Sequence, residues 1–165
     1  MSNFNTEFLP EARIRMHEYK KLADAAIAQL DDSMLFVEQN TDANSVAIIM
    51  QHLAGNMLSV WTDFLTTDGE KEWRDRDSEF VHTTRDRAVL TDRWEKGWNQ
   101  FFGALDSITE EMLGTPILFR KKKLLLFEAL YRQSLHYSYH IGQLIMLAKQ
   151  LKGEDWQSLS VPKKK

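Results

Sequence analysis

Cysteine is absent from the 165 residues. Disulfides and protein-borne thiolates are therefore excluded, and any metal must be held by His, Asp, Glu or water. Breakers are scarce: there are three prolines and seven glycines, and Pro10, Pro116 and Pro162 stand near segment edges. Long stretches without breakers favour helix. No apolar run is long enough to cross a bilayer; the best, 124–151, is interrupted by Glu128, Arg132, Gln133 and His136. An excess of positive charge is missing as well. A net charge of −3 and a pI near 6.0 give none of the basic footprint of a nucleic-acid-binding domain. Residues 1–10 carry no basic segment followed by an apolar stretch, so no secretory signal is read. The cytoplasm is the expected location, with neither nucleic acid nor membrane as a partner.

What is present is the composition of an ordinary globular protein, 43% hydrophobic and 27% charged. The length fits a single domain over 1–165 that can bury a core without staples. Apolar spacing predicts four helices. The first covers 10–30, with Ile14, Tyr19, Leu22, Ala26 and Leu30 as its buried stripe. Residues 31–44 read as a connection with room for one helical turn. The second helix covers 45–66, with Val46, Ile49, Leu53, Met57, Val60, Trp61, Phe64 and Leu65 inside. The third covers 85–108 around Leu90, Trp94, Trp98, Phe101 and Leu105, and the fourth covers 124–152 before Gly153. Residues 115–120 read as extended.

Between helices two and three lies a polar stretch, 67–84, with isolated Trp73 and Phe80. A helix of about 22 residues is roughly 33 Å long. This stretch can reach roughly 60 Å. It can return along the full length of the second helix and start the third at the same end. The expected fold is therefore all-α, a four-helix bundle running up-down-down-up with a long crossover between helices 2 and 3.

Five histidines punctuate the chain: His17, His52, His82, His136 and His140. His136 and His140, in SLHYSYHIGQL, share one helical face a turn apart. Neutral imidazoles so placed suit zinc, nickel, copper or iron. His52, in IIMQHLAGN on the second helix, is the candidate third ligand, and its level in the bundle is compatible with the pair. A His pair at this spacing also occurs in ordinary helices, so spacing alone leaves the metal reading open. Asn56 and Gln143 share faces with these histidines and are candidate pocket residues. His82, late in the crossover, is another. Arg74 and Arg76 are candidate carboxylate-binding residues in a charged cluster with Asp75, Asp77 and Glu79 whose simpler reading is a solvated loop. His17 is expected at the surface, Tyr137 and Tyr139 in core or dimer packing, and the five tryptophans mainly in the core. The run Arg120-Lys121-Lys122-Lys123 stands before the fourth helix, where positive charge is mildly unfavourable; it could attract an anionic substrate, and its simpler reading is a solvated turn.

Three segments carry a resemblance: QHLAGN, the polar TDFLTTDGEKEWRDRDSEF, and HYSYHIGQL followed by LKGEDWQSLS. In order and placement they resemble the DinB/YfiT-like superfamily, in its branch of uncharacterised conserved proteins, over nearly the whole chain. The resemblance implies an up-down-down-up four-helix bundle. It also implies a divalent metal on one His of the second helix and an H-x-x-x-H pair of the fourth, here His52, His136 and His140. Zinc or nickel is the first expectation, manganese or iron the next. Members are often homodimers. Some are thiol S-transferases using bacillithiol, mycothiol or glutathione, others act as hydrolases, and many have no known activity. The resemblance thus implies a metal-dependent enzyme acting on a small molecule, first a thiol S-transferase and alternatively a hydrolase. A non-catalytic, stress-related binding or scaffold protein stays open beside these.

Overall fold

The computed structural model describes residues 4–161, with side chains from Glu7 onward. Pro162 and the terminal lysines Lys163, Lys164 and Lys165 lie outside the described residues. The described chain is mostly helical, with five helices and one small two-stranded sheet. None of these helices is long and apolar enough to cross a membrane.

The first helix, α1 (Phe4–Ile27), begins six residues before the expected start and contains Pro10. Leu9, on the far side of that proline, is buried. Its packing extends the helix past a residue that sequence rules place at a boundary. The buried stripe is Leu9, Met16, Ala23, Ala26 and Ile27, while Ile14 is half exposed. Ile14 was expected inside. Helix α1 rests on both α4 and α5, and the groove between those two neighbours selects the stripe. One short helix, α2 (Asp32–Leu35), occupies the following connection, capped by the Asp31 carboxylate on the Met34 N–H.

Helix α3 (Val46–Trp61) is capped by Ser45 Oγ on the Ile48 N–H at 3.1 Å. It is buried on nearly every side. It stops at Trp61, short of the expected Thr66. Asp63 takes a positive φ of 47°, a conformation its short polar side chain tolerates better than most. The turn it makes leaves Leu65 largely exposed, against expectation, and folds Phe64 back onto Trp61.

Residues 62–86 then retrace α3 as a strapped segment. Ser59 Oγ donates to the Gly69 carbonyl and accepts from the Lys71 N–H. Glu79, in a 3₁₀ turn (Asp77–Phe80), lies against Gly55. Gln51 Nε2 donates to the Ser78 and Val81 carbonyls. The crossover thus passes Ser59, Gly55 and Gln51 in reverse chain order.

Helix α4 (Arg87–Ser107) starts from an Asp86 cap. It approaches α3 closely at Gly97, where a Cβ would stand 2.7 Å from the Ala54 Cα. Trp94 and Trp98 are buried beside Trp61 and Tyr137, as expected, but Trp73 is exposed and Trp156 only partly covered.

The segment expected to be extended is one half of a hairpin, β1 (Pro116–Phe119) and β2 (Lys122–Leu125), paired antiparallel. Its two-residue turn, Arg120-Lys121, has φ of 51° and 61°, the primed geometry that suits strand twist. The basic run thus forms the turn of a hairpin and the start of its second strand. Helix α5 (Leu126–Lys152) begins two residues later than expected, with the Glu128 carboxylate accepting from the Leu125 N–H at 2.8 Å. It ends at Gly153, as expected. Helix α3 packs against α4 and α5, and α1 against α5 and α4.

Candidate metal centre

Three imidazoles meet where α3 faces α5. His52 comes from the buried middle of α3, and His136 and His140 from adjacent turns of α5. One ligand nitrogen from each lies within 4.8 Å of the others, a cluster that can hold a metal ion. His52 Nε2 and His136 Nε2 stand 3.2 Å apart. Nitrogens about 2.0–2.1 Å from a tetrahedral zinc are roughly 3.3 Å apart. This pair is already at that spacing.

Hydrogen bonds on the far side of two rings select the tautomer a ligand needs. His52 Nδ1 lies 2.9 Å from Glu79 Oε2, and His140 Nδ1 lies 2.9 Å from Gln143 Oε1. Both acceptors are oxygens, so each Nδ1 carries the proton and each Nε2 keeps its lone pair for the centre. Burial, with neighbouring His140 and His52 and then Arg74 and Arg120, pushes His136 down to about 3. Burial and His52 push His140 down to about 4, against the opposing hydrogen bond to Gln143. Both are neutral near pH 7, the state that binds metal.

Glu79 is the part of the site that sequence reading missed. Its side chain is buried, and it bridges His52 and Arg74: Arg74 Nε donates to Oε1 at 2.7 Å and Arg74 Nη2 to Oε2 at 2.8 Å. Burial raises the Glu79 pKa, but the hydrogen bonds and charges of His52 and Arg74 outweigh it and hold the carboxyl below its usual range. Gly55 makes room: a Cβ there would lie 2.3 Å from Glu79 Oε1. Nothing in the linear sequence separates Glu79 from Asp75 and Asp77, which stay exposed. Only the return of the crossover over a glycine does.

The cluster opens into a cavity of about 700 Å³. Asn56, Arg74 and Arg76 line it, as do Phe80, Phe119, Arg120, Arg132, Gln133 and Tyr139. Tyr137 is core, its hydroxyl accepting from Trp61 Nε1 at 2.8 Å. Tyr139 is instead half exposed on the cavity wall, since i+3 from His136 turns it to that side. Gln143 reaches the site through His140. His82 does not join it: its Nε2 lies 3.0 Å from Glu38 Oε1, and its ring meets Phe36. His17 is exposed and stacks on Phe102.

Fold and site together define a mostly helical protein with a tri-histidine cluster at the floor of a cavity. The family described as "Protein of unknown function (DUF1572)" matches residues 3–165, and the chain belongs to it. No curated protein and no solved structure matches the chain.

Proposed function

We propose that this protein is a metal-dependent enzyme acting on a small molecule, most simply a transferase that joins a low-molecular-weight thiol, such as bacillithiol or glutathione, to an electrophile. The observation that carries the reading is the convergence of His52, His136 and His140 at the floor of an open cavity, with Glu79 and Gln143 fixing two of the rings. Three neutral imidazoles suit zinc or nickel first, and manganese or iron less well. The same reading places the chain with the DinB/YfiT-like bundles, with α1, α3, α4 and α5 running up-down-down-up. In support, partners along α3 and α4 advance together, from Gln51 with Arg93 to Trp61 with Gln100. Those along α1 and α4 run oppositely, Arg13 with Ile108 and Asp24 with Trp94.

His52, His136 and His140 would hold the ion and leave room for one further ligand. A divalent ion there supplies Lewis acidity, favouring the deprotonated form of a thiol or water that binds it. With a thiol, sulfur forms the new C–S bond, the leaving group departs with its electron pair, and the thiol proton passes to solvent. The chain has no cysteine, so the thiol comes with the substrate. The transferase stands first with a hydrolase beside it, since an ion on three histidines can favour either a bound thiolate or a bound hydroxide.

The test is metal content by ICP-MS on tag-free protein, beside His52→Ala, His136→Ala and His140→Ala, followed by thiol consumption with monochlorobimane as the electrophile. About one ion per chain, lost in each variant with helicity kept, together with metal-dependent thiol consumption, is the expected result. Absence of metal after incubation with zinc, nickel, manganese and iron would overturn the reading. Metal binding with ester hydrolysis in place of thiol consumption would move it to a hydrolase.

A further inference from the structure

The chain has more acidic than basic groups, 24 against 21. The cavity reverses this balance: Arg74, Arg76, Arg120 and Arg132 line it, and no Asp or Glu does among the described residues. Arg74 is committed to Glu79. The other three are positioned mainly by aromatic rings. The Arg76 guanidinium stands 4.9 Å from the centre of the Phe80 ring. Those of Arg132 and Arg120 stand 5.3 Å and 5.8 Å from the centre of one ring, Phe119. Phe119 is itself buried, so it is a fixed platform for both.

The acids near these arginines are weak partners. Glu70 lies 3.6 Å from Arg120 and Asp77 lies 3.8 Å from Arg76, each pair between exposed side chains, where an ion pair contributes little. Arg132 has no carboxylate within 4 Å among the described residues. Two like charges gathered on one ring repel each other, and an anion between them relieves the repulsion. The planar guanidinium matches an oxyanion with paired N–H donors.

Two buried amides face the same space. Asn56 and Gln133 are 6% and 3% exposed and line the cavity. Asn56 Oδ1 and Gln133 Oε1 have no hydrogen-bond partner among the described residues. Buried polar atoms left so are costly unless something donates to them. Tyr131, Leu135 and Tyr139 supply an apolar wall.

We propose that the cavity beside the three histidines binds a small organic oxyanion that also carries an O–H or N–H donor. Arg132 and Arg120 take the anionic group, and Asn56 and Gln133 take the donor. The proposal deepens the function above and rests on the same cavity being the substrate site. It makes the electrophile, or the thiol that attacks it, an organic acid.

The probe is mandelate, which combines a carboxylate, a hydroxyl and an aromatic ring, with mandelamide as its neutral analogue and phenyl phosphate as the phosphate arm. Binding is followed by amide NMR on chelator-stripped protein, so that the anion cannot report on the metal. Mandelate should bind at least about tenfold more tightly than mandelamide. Arg132→Gln and Arg120→Gln should each weaken the anion about tenfold with helicity unchanged. Lys96→Gln, the same charge change on exposed α4, should alter binding by less than about twofold. Tighter binding of phenyl phosphate, which has no O–H or N–H donor beside its anionic group, than of mandelate would remove Asn56 and Gln133 from the proposal. No binding of either anion, equal binding of mandelamide, or insensitivity to both arginine variants would overturn the proposal. ICP-MS on the same samples before stripping keeps the two readings apart. Metal without anion binding leaves the metal centre standing, and anion binding without metal leaves only the oxyanion site.

Discussion

Glu79 illustrates how one buried carboxylate can serve two donors. It accepts from His52 on one side and from both donor arms of Arg74 on the other. A carboxylate behind a metal-binding imidazole orients the ring and raises its basicity. Glu79→Gln keeps the shape but removes the charge, and one end of the amide then presents N–H groups towards a donor. The expected result is a 10- to 100-fold loss of metal affinity, roughly the usual effect of such partners. A loss of about 3 kcal/mol in stability should accompany it, because the Arg74 charge is left buried and uncompensated. Competition with a chromophoric chelator measures the first and urea denaturation the second. Unchanged metal affinity would reduce Glu79 to a structural ion-pair residue. Gly55 belongs to the same unit, since any side chain there meets the Glu79 carboxylate at 2.3 Å.

Among the elements, the hairpin is the one whose geometry needs outside help. Arg120 and Lys121 both adopt positive φ, which is unfavourable for side chains of this size. Asp68 in the crossover offsets this by accepting from the Arg120 N–H at 2.8 Å and the Lys121 N–H at 2.7 Å. Partial burial raises the Asp68 pKa, but the backbone N–H groups of Glu70, Lys121 and Arg120 outweigh it and hold the carboxyl below its usual value. A depressed folded value means stabilisation that is present above the ordinary carboxylate pKa, about 3.9. That stabilisation is lost as pH falls from there through the lowered value. Hydrogen exchange at the Arg120 and Lys121 amides should therefore speed up, relative to the intrinsic rate, as pH drops below about 4. Asp68→Asn should show weakened protection already at neutral pH and little further change on acidification. Equal protection in both proteins across that range would remove Asp68 from the account. The hairpin carries Phe119 and Arg120 into the cavity, so this clamp also sets the position of part of its wall.

For the whole molecule, an ion held by the three histidines would link metal to fold, because they join α3 to α5. An ion bound only by the folded state adds about 2.7 kcal/mol at a hundred times its Kd. For a chain of this length that is roughly a 5–11 °C rise in Tm. Differential scanning fluorimetry with zinc or nickel should show such a rise in the wild type and none in His136→Ala. An equal rise in the variant would point to ions bound elsewhere.

The mostly helical class, the four long helical segments and the two ends of the candidate ligand set were all legible in the amino-acid order. Apolar spacing and scarce breakers act locally, and so does the four-residue repeat of His136 and His140. The extent of α1 was not legible, because packing of Leu9 carries the helix past Pro10. The hairpin around the basic run was not legible for a related reason: its turn at Arg120 and Lys121 is held by Asp68, 52 and 53 residues away, which accepts their N–H groups. The sequence by itself determined helices and a histidine pair. Tertiary structure alone decided that His52 meets that pair, that Glu79 stands behind His52 over Gly55, and that four arginines from three segments share one cavity. Periodicity is a property of neighbours along the chain, whereas the chemistry of this site lies in contacts between residues that only the crossover and the hairpin bring together.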